Sequence, residues 1–371
     1  EITGNSLKKT IKNIGSSTSV TAKDIERLPV NGRNFTSLID LSPLSSGETL
    51  SGQLASSTNF TIDGMTAKNP TSGGATNRNG GPYSISMESV REFAVVTNAY
   101  DVTFGRSGGG TINTVTKSGT NTFSGSAFMF GRTDWLSSPY DINANKRDSK
   151  FSTYQYGLTL GGPIIKDKLH YFFAWDHQAH SSPLIIADIR NAEDEARYNL
   201  TQSTLDRFVD IARNKYGVDS SPQFGQFDKS RGTDALFLRL DWQINNRNLL
   251  TIRNNYVNDR NNLGLGDNTT INLYEVYGDV KSVDNSFLAS LRTKISSKIT
   301  NELKVQHLYT SEQATPSTQL PQSNIPRGIV ERVQSSVGGR DVFTNIQIGG
   351  QRYSPENFYN HVFQVTDNLY W

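Results

Sequence analysis

The chain has 371 residues, of which 35% are hydrophobic, 19% charged and none cysteine, and its formal net charge is +2. Globular chains average about 45–50% apolar and about 25% charged residues, so both fractions are low, the difference being made up by Asn, Ser, Thr, Gly and aromatics, the residues of strands and turns. The missing cysteine excludes disulfides, thiol catalysis and thiolate metal sites, the small net charge gives no footing for nucleic acid, and 10% aromatic residues argue against disorder.

The texture changes near Lys117. Residues 1–119 predict a small α+β domain, rich in Gly, Ser, Thr and Asn. The chain opens Glu1-Ile2-Thr3-Gly4 without an initiator Met or a leader, so a processed or truncated piece of something longer is expected. Thr21 is placed to cap a helix over 22–27, with Asp24 at its third position and Pro29 to stop it. Asn31-Gly32 reads as a turn and Asn34 as the cap of a second helix over 35–41, halted by Pro43. Phe60 and Ile62 alternate with Thr61 ahead of Asp63-Gly64, a strand ending in a tight turn. Residues 72–82 read as a Gly/Asn-rich loop, 87–92 as a helical turn feeding a strand over 93–97, and 112–116 as a further short strand.

From Asn121 onward the pattern is eight long strands: 121–133, 151–163, 168–180, 232–245, 247–260, 281–296, 298–311 and 359–371. Leu236, Leu238, Leu240 and Trp242 alternate with Phe237, Arg239, Asp241 and Gln243; Leu303 and Val305 alternate with Glu302, Lys304 and Gln306. Soluble sheets alternate too, and the connections discriminate better. Short turns at 164–167, 245–247 and 296–298 alternate strictly with long loops at 134–150, 181–231, 261–280 and 312–358. That sorting is the layout of an outer-membrane barrel, with tight turns on one side and large external loops on the other. No run of about 18 apolar residues exists, which excludes a transmembrane helix but not such a barrel. Within 181–231, Leu205, Phe208, Val209, Ala212 and Tyr216 form one helical stripe between Ser203 and Gly217. It reads equally as a binding element or as a helix that shields the mouth.

At Phe60-Thr61-Ile62-Asp63-Gly64 and at Gly105-Arg106-Ser107-Gly108-Gly109-Gly110-Thr111-Ile112-Asn113-Thr114-Val115-Thr116-Lys117-Ser118-Gly119 the sequence resembles the plug domain of TonB-dependent outer-membrane receptors, especially the Oar-like subgroup. Ile62-Asp63-Gly64 is similar to the plug strand that reads IDG in many members. Ser89-Val90-Arg91-Glu92-Phe93 is similar to the element that follows it, Asp24-Ile25-Glu26-Arg27-Leu28-Pro29 to the opening of the plug, and 105–119, followed by Thr120 to Gly125, to its ending at barrel strand one. The resemblance marks Ile62, Asp63, Gly64, Gly105, Arg106, Gly109, Gly110, Asn113, Thr116 and Lys117 as the plug motif. Eight strands close around side chains or one small ligand only, whereas plugged transporters have about 22. The chain is therefore expected to be a fragment, with the plug over 1–119 and the first eight or so strands of the barrel over 120–371.

Other motifs carry less. Gly105-Arg106-Ser107-Gly108-Gly109 matches G-x-S-x-G, but a nucleophile elbow needs a helix after it and a strand follows here. His177 and His180 point to opposite faces of a strand and make a poor ligand set. Glu193-Asp194-Glu195 lacks the spacing of a calcium loop and reads as a solvated acidic loop. Arg239, Asp241, Arg253, Arg292 and Lys304 are lumen-facing candidates, to dock the plug, line a pathway or simply be solvated; Arg91 and Arg106 of the plug are candidates to pair with lumen acids. Tyr154, Tyr156, Tyr171, Phe173, Trp175 and Trp242 suit interfacial aromatic girdles.

The resemblance implies a receptor that captures a scarce external ligand and lets it pass when TonB and its inner-membrane energising complex pull on the plug, in an outer membrane whose lipid surrounds the barrel. The ligand is unspecified, no cofactor or metal is implied, and no enzymatic chemistry is expected. Two alternatives stand beside it: an outer-membrane adhesin or export-linked surface receptor of the same fold, and a soluble β-sandwich lectin. Apolar strand faces buried against a second sheet favour the lectin; apolar faces left exposed favour the barrel.

Overall fold

A computed structural model describes residues 17–21, 24, 35–46, 49–54, 57–68, 85–97, 110–140, 150–219, 221–320 and 325–371. The N-terminal part comprises β1 (Ser17–Thr21), a 3-10 turn (Phe35–Leu41), β2 (Ser45–Ser46), β3 (Thr49–Leu50), β4 (Thr58–Ile62), β5 (Met65–Thr66), a second 3-10 turn (Met87–Ser89), β6 (Val90–Thr97) and β7 (Gly110–Thr116). Five of these strands make one sheet in the order β1-β6-β7-β4-β5, with β4 and β7 parallel. Phe60, Ile62, Phe93, Val95 and Ile112 fill its core. The intervening Thr and Asn residues of β4 and β7 are buried as well, so the second face of this sheet is covered.

Several short elements differ from expectation. The 35–41 segment is helical over the expected bounds but is a 3-10 rather than an α-helix, and Ser45 Oγ closes its end against the Ile39 and Ser42 carbonyls at 2.5 and 2.7 Å. The turn at Met87 ends at Ser89, since Val90 and Glu92 already pair with Thr116 and Val115 of β7. The expected helix over 22–27 lies outside the described residues except for Asp24, whose carboxylate accepts from Thr21 N and Oγ1 at 3.1 and 2.6 Å. The 72–82 loop also lies outside them.

The rest of the chain is mostly β: β8 (Ser124–Thr133), β9 (Ser152–Ile165), β10 (Leu169–Ile186), α1 (Ala192–Tyr198), α2 (Gln202–Tyr216), β11 (Gly225–Asn245), β12 (Asn248–Leu265), β13 (Ile271–Asn272), β14 (Gly278–Lys294), β15 (Thr300–Thr315), β16 (Arg327–Val337), β17 (Arg340–Gly349) and β18 (Glu356–Tyr370). All eight long strands expected from the sequence are present, joined edge to edge as β8-β9-β10-β11-β12-β14-β15-β18, and every adjacent pair is antiparallel. Burial along them is inverted relative to a soluble sheet. Leu238 is 44% exposed, whereas Arg253, on the opposite face of the neighbouring strand, is 0% exposed. A β-sandwich needs the apolar face covered by a second sheet; here that face is open, which removes the lectin alternative.

On the side of the long loops the strands run further than their hydrophobic pattern. Ser181–Ile186 stays paired with Gly225–Ser230, so the 181–231 loop shrinks, and 261–280 shrinks likewise. Where both faces of a strand meet polar surroundings, no apolar alternation marks its end. The 312–358 loop contains the β16–β17 hairpin, which also pairs with β13. Glu193-Asp194-Glu195 is the first turn of α1, capped by Asn191 Oδ1 accepting from Glu193 N at 2.9 Å and Asp194 N at 3.0 Å. Three acids there suit the positive end of the helix dipole, so the segment is a helix start rather than a loop. In α2 the cap is Thr201, not Ser203, and Tyr216 is exposed, so the buried stripe is Leu205, Val209 and Ala212 before Gly217 ends the helix at φ 71°.

Candidate functional site

The tip of the β4–β5 hairpin is Asp63-Gly64, with φ of 53° and 79°. This left-handed pair is what a two-residue hairpin turn demands, and Asp-Gly supplies it at little strain. Ile62 pairs with Met65 across the turn, and Asp63 N donates to Thr114 O at 2.8 Å. The Asp63 carboxylate is then held by β7: Thr116 N donates to Oδ1 at 3.0 Å and Thr116 Oγ1 to Oδ2 at 2.9 Å. The hairpin therefore carries a fixed negative charge on the covered face of the N-terminal sheet.

Three strands of the large sheet converge on that charge, and a fourth reaches the hairpin beside it. Arg253 of β12 brings Nε within 3.2 Å of Asp63 Oδ2, and its Nη2 donates to Ile62 O at 3.5 Å and to Gln306 Oε1 at 3.4 Å. Arg239 of β11 donates through Nη1 to Thr116 Oγ1 at 2.9 Å, with the same nitrogen 4.0 Å from Asp63 Oδ1. It is held from behind by a two-pronged contact to Asp241, both bonds 2.8 Å, and Thr251 Oγ1 donates to Asp241 at 2.7 Å. Lys304 of β15 donates to Asp63 O at 3.1 Å and lies 3.2 Å from Glu302. A Cβ on Gly64 would sit 3.2 Å from that Nζ, so glycine leaves the lysine its path. Next to it, Gln306 Nε2 donates to Thr66 O at 2.7 Å, and Thr66 N donates to Gln364 Oε1 of β18 at 3.1 Å.

Arg239, Arg253 and Lys304 are thus set against Asp63, Asp241 and Glu302. Burial alone would raise the Asp63 pKa, but Arg253, Arg239 and the Thr116 hydrogen bonds outweigh it and hold the carboxyl below its ordinary value. Apolar contact continues the junction: Phe172, Ala174 and Phe237 of the large sheet belong to the same core as the N-terminal sheet, with the two phenyl rings edge to face at 6.2 Å. At the crossing between the sheets, Gly119 lies so close to the Tyr171 backbone that a Cβ would collide with its carbonyl.

The structure brings most of the expected site residues together. Ile62, Asp63, Gly64 and Thr116 meet Arg239, Asp241, Arg253 and Lys304. Asn113 supports them by accepting from Thr61 Oγ1 at 2.9 Å, Lys117 N donates to Ser89 O at 2.7 Å, and Gly110 fits where a Cβ would meet Leu50 Cδ1 at 2.7 Å. Arg292, on β14 opposite Leu249, is outside the cluster. Gly105, Arg106 and Gly109 lie outside the described residues. Arg91 is exposed on β6, and at the one charged contact between the described residues of the two sheets the acid, Asp63, is on the hairpin while the wall supplies the arginines. Gln306, Gln364 and Thr66 escaped the sequence reading because amides and hydroxyls in polar alternation carry no distinguishing pattern. His177 pairs with Asp234 and His180 with Thr153, both at 2.8 Å, so the two histidines have separate partners.

Against known proteins, residues 115–192 match the model of an outer membrane beta barrel domain. Over 156 residues the chain is 34% identical to the TonB-dependent transporter Oar of Myxococcus xanthus, covering 38% of this chain and 14% of that one. Among solved structures it is similar to the ferric enterobactin receptor PfeA (a Q482A mutant) of Pseudomonas aeruginosa, with a TM-score of 0.60 at 13% identity over 96% of this chain and 46% of that one. The outer membrane transporter YddB of Escherichia coli gives 0.58 at 14% identity over 95% and 44%. The siderophore receptor PirA of Acinetobacter baumannii gives 0.56 at 15% over 98% and 45%. The chain spans a small part of the curated relative and less than half of each solved one.

Fold and comparisons together define an outer-membrane β-barrel protein. Over those 156 residues the chain is homologous to the TonB-dependent transporter Oar, and its place is the outer membrane of a Gram-negative bacterium.

Proposed function

We propose that the chain is part of a TonB-dependent outer-membrane receptor that takes up a scarce external ligand by movement of a plug, residues 1–119, inside a barrel whose strands begin at 120–371. The observation that carries this reading is the Asp63 hairpin, fastened to β11, β12, β15 and β18 by ion pairs and hydrogen bonds. A body held by so many polar contacts does not leave on its own; something must supply the energy to shift the equilibrium. TonB and its inner-membrane complex are the partners that the relatives imply. Among the described residues, β8 and β18 each have one neighbour in the sheet. An unpaired strand edge is not tolerated in lipid, which supports further strands and a closed barrel of about 22. On this reading the short turns are periplasmic, the long loops are external, outer-membrane lipid surrounds the outer face, and the role is transport without covalent chemistry.

These 371 residues contain no cysteine, and any cysteine elsewhere in the full receptor is replaced by serine before the test. Thr66→Cys places one thiol at the buried contact with Gln306 and Gln364. In cells growing on complex medium, a maleimide is expected to label it several-fold faster when TonB is functional than in a strain lacking TonB. Equal labelling in both strains rejects energised plug movement and leaves the adhesin or export-linked receptor of the same fold.

A further inference from the structure

The outward face of the large sheet changes chemistry toward the long loops. On β14 its residues run from Leu291 through Phe287 and Val283 to Lys281, and on β12 from Ile252 through Tyr256 to Arg260. Lys281 and Arg260 are the first outward cations beyond the apolar stretch of their strands, and both are exposed. The register sets them directly opposite each other. Their row continues as Gly232 of β11 on one side and Gln313 of β15 on the other, so it holds no acid. Like charges directly opposite each other destabilise an antiparallel pair.

The protein does not supply the missing negative charge. Asp279, two residues from Lys281, accepts from Leu263 N at 2.8 Å. Asp234, two residues from Gly232, accepts from His177 Nδ1 at 2.8 Å and Trp175 Nε1 at 3.3 Å. Among the described residues neither Arg260 nor Lys281 has an ion-pair or side-chain hydrogen-bond partner. On the inner face of the same strands the opposite holds: Arg231 grips Asp259 through bonds of 2.9 and 2.7 Å. The sheet thus neutralises the arginine that faces its interior and leaves the outward pair uncompensated. The place is also open, since a Cβ on Gly232 would meet nothing within 4 Å.

Position selects what can fill it. Successive outward residues are about 6.6 Å apart along a strand, so Lys281 is one such step beyond Val283, at the depth of lipid headgroups rather than of acyl chains. An anion that bridges both cations removes their repulsion, which water around each does not. A phosphate suits the pair: two oxygens meet the guanidinium fork and a third meets the ammonium. A zwitterionic headgroup would bring a further ammonium to the same spot, so the phosphate must belong to a lipid without one. We propose that Arg260 and Lys281 form a binding site for the phosphate of an anionic lipid in the outer leaflet. The inference rests on the proposed outward orientation of the long loops and not on movement of the plug. The bound lipid joins β12 to β14 from outside and fixes the depth of the barrel in the membrane.

The test is native mass spectrometry of the full-length receptor in detergent, titrated with diphosphorylated lipid A, with the same lipid stripped of its phosphates, and with inorganic phosphate. The wild type is expected to retain the diphosphorylated lipid. Arg260→Gln combined with Lys281→Gln should weaken that binding about tenfold or more. Arg247→Gln, which removes a cation at a short turn, should leave it unchanged. Unaltered mobility of the unboiled barrel on gels shows that each variant is folded. Equal retention by the double variant, or equal retention of the phosphate-free lipid, overturns the inference. Displacement by inorganic phosphate at an equal concentration overturns it too, by assigning the site to free phosphate. Orientation is read separately: Tyr216→Cys, at the exposed end of α2, should react in intact cells with a maleimide that cannot cross the outer membrane. Failure to react overturns the orientation on which both readings rest; reaction without phosphate-dependent lipid binding overturns the lipid site alone.

Discussion

The two sheets bury opposite chemistries. The N-terminal sheet hides Phe60, Phe93 and Ile112, as any water-soluble domain would, and lets Thr and Asn meet its surroundings. The large sheet turns Leu238, Phe287 and Val305 outward and hides Arg253, Asp241 and Gln306. Both use period-two alternation, so alternation alone says that a strand has two faces, not which one is inside. What decides is the medium on each side. Where the two sheets meet, the polar face of one becomes the lining of the other, and the charges of both are neutralised within the Asp63 cluster.

The largest expected effect comes from breaking that meeting. Arg253→Leu removes the nearer arginine of the Asp63 carboxylate, leaving it Thr116 and Arg239 at 4.0 Å, and should cost about 3–5 kcal/mol, read as a lower urea midpoint and faster proteolysis of residues 57–97. Pairing it with Asp63→Asn, which removes the charge and still suits the left-handed turn, should recover much of the loss. A single mutant within about 0.5 kcal/mol of wild type, the range of an ordinary surface change, contradicts the cluster. On the outer face, Leu238→Arg puts a charge into lipid and should cost about 2–4 kcal/mol near the bilayer midplane, measured by reversible folding into vesicles. A neutral result there means that this face does not meet lipid.

At the crossing, Gly119→Ala forces a methyl into the Tyr171 backbone and should cost about 1–3 kcal/mol, with no change when alanine replaces the unobstructed Gly232. The smallest effects are expected from pH and run in opposite directions. Burial would raise Asp63, but the arginines and Thr116 leave it lowered. Its contribution is complete above the unfolded carboxylate value of about 3.9 and is lost only as the pH falls through its own lower value. Glu275 is raised by burial, only partly opposed by the Gly349 and Asp219 backbone N–H groups. The folded connection around Glu275 is therefore firmest below about pH 4.3 and loosens as the pH rises through the shifted value. Hydrogen exchange, corrected for its intrinsic pH dependence, should show protection near 271–276 and 346–349 falling between acid and neutral pH while 58–66 stays protected. The reverse order breaks the assignment.

Much of this was legible in the residues themselves. The eight long strands could be read because lipid on one side and polar lining on the other impose a strict alternation, as in Leu236 to Gln243. Asp63-Gly64 could be read because few dipeptides suit a left-handed pair. The β16–β17 hairpin, β13 and α1 could not: outside the bilayer both faces of Arg327–Val337 are polar, and Asn191 is an unremarkable residue until its side chain is seen capping a helix. Likewise, Arg253 and Arg292 are indistinguishable as alternating arginines. Only the register, which sets Arg253 beside the hairpin and Arg292 toward the short turns, separates them.

Residues 117–123 are all that joins β7 to β8. At a full stretch of about 3.3–3.6 Å per residue that leash reaches roughly 25 Å, close to the height of the apolar band of an outer-membrane barrel, about 25 Å. Under the proposed plug movement, then, the end of β7 can never lie further than about 25 Å from the start of β8 while β8 keeps its place beside β9. The shortness of one linker tethers the N-terminal sheet to the mouth of its own wall.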